Sequence, residues 1–304
     1  MAIILNFGSL NVDYVYHMDH FVLPGETLTS SARDVNCGGK GLNQSIAAAS
    51  SGATVFHAGK IGRDGTMLTD MLNARGVDTS LVEISGGPSG HAIIQVDKNG
   101  QNSIILFPGA NREIDSSSIE RALENFAEGD YLILQNEISR IPEIMKAGAS
   151  KGMNIVFNPS PVTDDIASFP LELADIFVLN EIEGEVLSGE KEPKEIISVL
   201  RSKYPGALVL LTLGKSGSIL AGKDVFLTYG IHSAPVVDTT AAGDTMLGFF
   251  TGLLASGLGY EEALSTATKA AAVTVSRKGA APSIPTLEEA RACTFTYVEF
   301  GCGK

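Results

Sequence analysis

The sequence predicts an α/β protein: a mostly parallel central sheet covered by helices on both faces, with a small antiparallel sheet projecting from it. Three observations carry this. From about residue 110 onward, short apolar runs recur without alternation: YLILQ (131–135), MNIVFN (153–158), DIFVLN (175–180) and ALVLLTL (207–213). Continuous Ile, Leu and Val runs suit strands buried on both faces of a parallel sheet. Between them lie segments of helical spacing at 116–126, 140–150 and 193–203, the pattern of βαβ units. The N-terminal third alternates more, in DYVYHMDHF (13–21), ETLTSSARDV (26–35), GHAIIQVD (90–97) and NSIILF (102–107), with turn residues such as Lys98-Asn99-Gly100 between. That is the pattern of hairpins.

Taken in order, MAIILNFGSL lacks a basic leader and a long apolar core, so it reads as a first strand and not a signal peptide. The hairpin segments, near 13–36 and 88–107, form a lid made of two separated insertions. No repeat or low-complexity linker interrupts the 304 residues, so one continuous domain is expected over 1–304. The apolar run 246–258 is broken by Thr251 and Ser256 and is too short for a bilayer, so no membrane partner is expected. The last eleven residues, TFTYVEFGCGK, suit either a final strand or a loose tail.

With 44% apolar and 19% charged residues the chain can bury a large core. Its formal charge of −13 argues against nucleic acid as a partner. Cys37, Cys293 and Cys302 form no CxxC pair and are odd in number, which speaks against a disulfide framework and for a cytoplasmic protein. The five histidines show no zinc spacing, and His17 and His20 read as ordinary lid residues.

The chemistry gathers at glycine-rich junctions. In VVDTTAAGDTMLGFF (236–250) small residues lead into a helical pattern, with Asp244 in its first turn. Small residues let a backbone approach a ligand, and free N–H groups at a helix start attract anions. Asp244 could equally be an N-cap. A second such junction, GGKGLN (38–43), could be only a tight turn. TLGKSG (212–217) invites a phosphate-loop reading, but the glycine required five residues before Gly214 is Val209, so that reading fails. At Asn180 to Glu183, carboxylates and an amide open a helix past an apolar strand. They could approach Mg²⁺ or serve as a dipole-favoured first turn.

In combination, GGKGLNQS (38–45), NPSP (158–161), NEIEGEVL (180–187), TLGKSG (212–217) and DTTAAGDTMLGFF (238–250) resemble the ribokinase family of carbohydrate kinases (PfkB group). The resemblance runs from NVD (11–13) to RKGAAPSIP (277–285), and DTTAAGDT matches the ribose-phosphorylating branch. It implies a three-layer α/β/α sandwich with a β-lid and an ATP-dependent transfer of the γ-phosphate to a sugar hydroxyl, ribose at its 5-hydroxyl before others. On that likeness Asp244 is the general base, and the N–H groups of Ala241, Ala242 and Gly243 form the anion hole. Asn11, Asp13, Gly39, Lys40, Asn43 and Glu137 contact the sugar. Asn180 and Glu183 stand near Mg²⁺ and the triphosphate, while Thr212, Gly214, Gly217 and Thr268 line the nucleotide. Asp238, Thr240, Thr274, Arg277, Gly279 and Ser283 surround a monovalent cation (K⁺), several through backbone oxygens only. The family's ribose kinases pair lid to lid, so a homodimer is implied.

Some residues depart from the family. Met246-Leu247 replaces Phe-Asn, and Thr268 stands where a His or Asn nears the adenine. Asn43 could act as a cap, and Glu137 could be an exposed loop residue. His91 and Ile93 are expected to face the sugar. The alternatives are a kinase for deoxyribose, another sugar or a nucleoside, and a non-catalytic sugar-binding regulator.

Overall fold

A computed structural model describes residues 2–301. The N-terminal part holds strands β1 (Ile4–Phe7), β2 (Asn11–His17), β3 (Ala32–Gly38), β4 (Val55–Ile61), β5 (Asp78–Ile84), β6 (Gly90–Val96) and β7 (Asn102–Phe107), with helices α1 (Lys40–Ser50) and α2 (Thr66–Ala74). Next come α3 (Ser116–Leu123), β8 (Tyr131–Gln135), α4 (Ile141–Ser150), β9 (Asn154–Asn158), β10 (Ile176–Asn180), α5 (Glu181–Ser188), α6 (Pro193–Lys203) and β11 (Leu208–Thr212). The chain closes with β12 (Ser218–Ala221), β13 (Phe226–Tyr229), β14 (Ile231–Ser233), α7 (Ala242–Ala255), α8 (Tyr260–Val275), α9 (Leu287–Arg291) and β15 (Thr296–Val298).

The main sheet has the order β13-β12-β11-β10-β9-β8-β1-β4-β5, parallel from β11 to β5 and antiparallel only at β12 and β13. Strand alternation divides its residues between two cores. Ile4, Ile133, Val178 and Leu210 pack with Leu42 and Ile46 of α1, Leu68 of α2, Phe249 of α7 and Leu264 of α8. Leu5, Leu134, Phe177 and Leu211 pack on the other face with Ile119 of α3, Ile144 of α4 and Ile196 of α6. Both faces are covered, which is why these strands carry no polar face.

Helices α1 and α7 approach closely through glycine. A Cβ on Gly248 would lie 2.4 Å from the Ala47 Cβ and 2.7 Å from the Ala48 nitrogen. One turn on, a Cβ on Gly252 would meet the Ser51 Oγ at 2.1 Å.

The lid is a four-stranded sheet, β3-β2-β6-β7. It differs from the expected antiparallel sheet in one respect: its outer pairs are antiparallel, but its central pair, β2 and β6, is parallel. The two insertions meet through their first strands, and β6 reaches its place only after the chain has crossed β4, α2 and β5. Within ETLTSSARDV only the portion from Ala32 is strand. The chain end resolves as a strand, β15 pairing antiparallel with β14, while Cys302 lies outside the described residues. Cys37 and Cys293 are free thiols. Among the described residues no helix is long and apolar enough to cross a membrane.

Candidate active site

The chain builds the sheet outward in both directions from β1, which lies between β4 and β8. Ligands of open α/β sheets bind outside the carboxyl ends of the strands at such a switch point. Ser9 follows β1 there, and Glu137 follows β8. The Glu137 carboxylate accepts from the Ser9 hydroxyl and from the Lys40 N–H at 3.1 Å, and Ser9 Oγ in turn accepts from the Gly41 N–H at 3.1 Å. Glu137 is therefore no exposed loop residue. Gly39, at φ 94°, turns the chain into α1 in a conformation that favours glycine.

The start of α7 is built differently. Its N-cap is Ala241, at φ 61°, and no side chain caps the helix. A left-handed conformation is uncommon for a residue with a Cβ, and such strain gathers at functional sites. The N–H groups of Gly243 and Asp244 are thus left free at the helix start, whereas that of Ala242 donates to the Thr239 carbonyl at 3.3 Å. Asp244 is not the cap. It lies inside the first turn, 8% exposed, accepting from Asn43 Nδ2 at 3.1 Å and from Gln44 Nε2 at 2.8 Å. Asn43 does not cap α1 either. Its Oδ1 is buried without a partner.

Three cavities meet at α7. The first, about 240 Å³, is lined by Lys40, Asn180, Glu183, Ala242, Gly243 and Asp244. The second, about 510 Å³ and mostly apolar, lies between Gly214 and Gly217 on one side and Met246, Thr268 and Val275 on the other. The third, about 790 Å³, lies under the lid, with Asn11, Asp13, Gly39, Asn43 and Glu137 in its wall. Thr212, Ala242 and Gly243 border the first and second cavities, and Lys40, Ala241 and Asp244 border the first and third. The arrangement is linear: an apolar slot, an anion-attracting helix start, then a polar chamber beyond Asp244.

The electrostatics follow the same division. Burial pushes the Asp13 carboxyl up to about 7, aided by the nearby charge of Glu137. Burial raises Glu137 as well. Burial alone would lower the Lys40 ammonium, but Asp244, Glu137 and Glu183 outweigh it and hold it above its ordinary value.

Asn180 and Glu183 form a capping box on α5. Asn180 Oδ1 accepts from the Glu183 N–H at 3.0 Å, and the Glu183 carboxylate accepts from the Asn180 N–H at 2.9 Å and Nδ2 at 3.0 Å. Among the expected cation residues, Asp238 is bonded by Thr240 and, at 2.9 Å, by the Gly279 N–H. The others have their side chains engaged elsewhere: Thr274 with Thr245, Arg277 with Glu289, and Ser283 with the Ala280 carbonyl. Only their backbone carbonyls remain to offer. The Thr268 hydroxyl donates to the Leu264 carbonyl at 2.8 Å, so it is spent within its own helix.

His91 and Ile93 do not face the chamber under the lid. Ala92, Ile94 and Val96 of β6 do, because successive strand residues alternate faces and the expected pair lies one residue out of phase. His91 packs outside, with its ring 4.9 Å from that of Phe107. Sequence reasoning also missed Ser9, Gln44 and Gln135. Gln44 is adjacent to Asn43 in a quoted motif, but nothing in its spacing marks it as the residue beside Asp244.

The family description "pfkB family carbohydrate kinase" matches residues 1–287. The chain belongs to the pfkB family of carbohydrate kinases. This pfkB kinase is 35% identical over 295 residues to the ribokinase of Haemophilus influenzae, covering 93% of this chain and 95% of that one. It is 30% identical over 293 residues to the deoxyribokinase of Salmonella typhi, covering 93% and 95%. Among solved structures, Arabidopsis thaliana ribokinase complexed with ribose and ATP superposes with a TM-score of 0.85 at 28% identity, covering 97% of this chain and 100% of that one. As a member of the family the protein is an enzyme that phosphorylates a carbohydrate.

Proposed function

We propose that the enzyme is an ATP-dependent ribose kinase with Asp244 as general base. One observation carries the assignment of Asp244: its carboxylate stands in the wall shared by the helix-start cavity and the polar chamber. A sugar hydroxyl entering from the chamber would meet the carboxylate on its way to a phosphate held at the α7 N-terminus. Asp244 takes the hydroxyl proton as the oxygen attacks the γ-phosphate. The N–H groups of Ala241, Ala242 and Gly243 face the charge that develops on the transferring group, the electrostatic help on which such transfers depend. Lys40, bordering both cavities, spans sugar and phosphate. The apolar slot suits adenine, entered past Thr212, Gly214 and Gly217.

For the sugar, Asn11, Asp13, Asn43 and Glu137 offer donors and acceptors to several hydroxyls, and the unpartnered Asn43 Oδ1 is an acceptor in waiting. Mg²⁺ would enter on the triphosphate near Asn180 and Glu183. A single buried carboxylate already bonded to its own helix fits an ion that keeps most of its waters. When bound, it neutralises phosphate charge. The Asp238–Gly279 bond ties the loop before α7 to the loop after α8, and the backbone carbonyls of these loops, with their second lone pairs, would suit a large monovalent cation such as K⁺. Such an ion would stiffen the anion hole. The free thiols suit a reducing cytoplasm.

Two observations favour a second reading of the acceptor. One is the deoxyribokinase relative. The other is the apolar outer wall of the chamber, Ile94, Ile104, Met67 and Met71, which would suit a nucleoside base. A coupled assay of ADP release with ribose, deoxyribose and nucleosides separates them, and the highest kcat/KM is expected for ribose. Asp244→Asn should lower kcat by about two to four orders of magnitude with both substrates still bound. Near-normal turnover in a folded variant would remove Asp244 as the base.

A further inference from the structure

Behind Asp244 lies a group of polar side chains that the reaction above does not use. Asn6, Ser45 and His57 are fully buried, and Gln44 and Gln135 are 1% exposed, on the face of the sheet that is otherwise filled by aliphatic residues. Buried polar groups are costly unless bonded, so the direction of each bond follows from which atoms can donate. His57 Nε2 lies 3.3 Å from the Gly8 carbonyl, which can only accept, so the ring proton sits on Nε2. Burial, which pushes the imidazole down to about 4, keeps the ring neutral. Nδ1 therefore accepts from the Ser45 hydroxyl at 2.7 Å. Ser45 Oγ accepts in turn from Asn6 Nδ2 at 2.9 Å, whose amide also donates to the Gly41 carbonyl at 2.8 Å. Asn6 is thereby oriented with Oδ1 toward Gln135. Gln135 Nε2 donates to that oxygen at 2.9 Å and to Gln44 Oε1 at 2.8 Å.

With its oxygen held, Gln44 has its NH₂ left for Asp244, at 2.8 Å from Oδ1. A second anchor agrees. Asn158 Nδ2 donates to the Val178 carbonyl at 2.9 Å, turning its Oδ1 toward Gln44 Nε2 at 3.3 Å. Rotated by half a turn, the Gln44 amide would present an oxygen to a carboxylate and two donors to Gln135's own NH₂. The surroundings exclude that rotamer.

We propose that Gln44 is a positioning residue for phosphoryl transfer, locked by the buried Gln135–Asn6–Ser45–His57 relay so that its N–H holds the Asp244 carboxylate aimed into the site. This rests on Asp244 being the general base. The test compares the pH dependence of kcat in wild type, Gln44→Met, Gln135→Met and Asp244→Asn. Methionine keeps the side-chain length and removes the donor. A carboxylate that loses a charge-assisted hydrogen bond becomes harder to ionise, so the acid limb of Gln44→Met should move up by about one pH unit. Its kcat on the neutral plateau should fall about tenfold, with both KM values within about a factor of two of wild type, as for residues remote from a ligand. Gln135→Met should move the limb in the same direction by less, because Gln44 keeps its N–H but loses its orientation. Asp13, His17, Asp34, Lys40, Glu137, Glu183, Asp238 and Lys278, the charged and titratable groups that share the cavities with Asp244, are the same in every variant, so the Asp13 titration is common to all the profiles. A folded Gln44→Met with an unmoved limb and normal kcat overturns the relay. Should that variant not fold, an unmoved limb in Gln135→Met overturns it. If Asp244→Asn is nearly inactive while those limbs stay in place, the relay alone falls. If Asp244→Asn turns over normally, the base assignment falls and the relay with it.

Discussion

At the scale of single residues, the site keeps the carboxylates of the chamber under the lid at a cost to the empty enzyme. Burial raises the Asp13 carboxyl from its ordinary 3.8 to about 7 in the folded chain, so between those values the folded state holds a proton that the unfolded state releases. Stability therefore falls as pH rises from about 4 to about 7 and stays lower above that window. Asp13→Asn removes the loss. Without sugar, the variant should match wild type near pH 4 and melt higher at pH 8, by about 2–4 °C for each kcal/mol recovered. Calorimetric melts at the two pH values check this, and equal melting at pH 8 would count against a costly Asp13. The same substitution should weaken ribose by about 5- to 150-fold, the worth of a buried hydroxyl left unpaired. ATP binding should hardly change. Residues that announce themselves by chemistry, such as Asp244 beside its run of small residues, were legible in the sequence. Gln44 and Gln135 were not, because a glutamine is as common on a surface as in a relay, and only the fold brings Gln135 of β8 to Gln44 of α1.

At the scale of elements, the contact between α1 and α7 sets the site. Asn43 and Gln44 meet Asp244, and one turn on Ala47 and Ala48 meet Gly248, then Ser51 meets Gly252. The helices can approach this closely only because Gly248 and Gly252 carry no side chains. Gly248→Ala puts a methyl against backbone and Cβ atoms that cannot rotate away. It should cost about 1–3 kcal/mol, and lower kcat as the two amides lose Asp244. Gly206→Ala, where an added Cβ meets nothing within 4 Å, serves as the control. Denaturant titration and turnover of both variants decide, and equal behaviour would refute the packing argument. Strands β8 to β11 were legible almost to the residue, because strands buried on both faces show as unbroken apolar runs, while β4, β5, β12 and β13 carry no such run and were not legible. The lid was less so. A two-residue period predicts strands but not their phase against the body, which is how His91 and Ile93 were assigned to the wrong face.

At the scale of the whole molecule, the outer face of the lid carries a row across its four strands: Val35, Tyr14, Ile93 and Ile105 lie side by side in register. Ile105 is 60% exposed, and Phe107 nearby is 46% exposed. The apolar lid residues Val15, Ile94 and Ile104 lie on the other face and border the chamber. A contiguous exposed apolar row marks an interaction surface. The lid-to-lid dimer that the family resemblance implies should appear by light scattering at micromolar concentration, and Ile105→Lys should convert it to monomer. A monomeric wild type would exclude it. The contact between α1 and α7 also has a consequence for the order in which the chain is made. Gln44 leaves the ribosome 200 residues before Asp244. Until α7 and α8 emerge, α1 has lost neither its apolar face nor the sheet beneath it to solvent exclusion, while the opposite core, closed by α3, α4 and α6, is already complete. The growing chain therefore passes through a long stretch of synthesis with one side closed and the other covered only by α1 and α2. A ribosome that stops anywhere between Gly222 and Ala242 releases a half-covered sheet, a sticky product with its lid in place and no Asp244 beneath it.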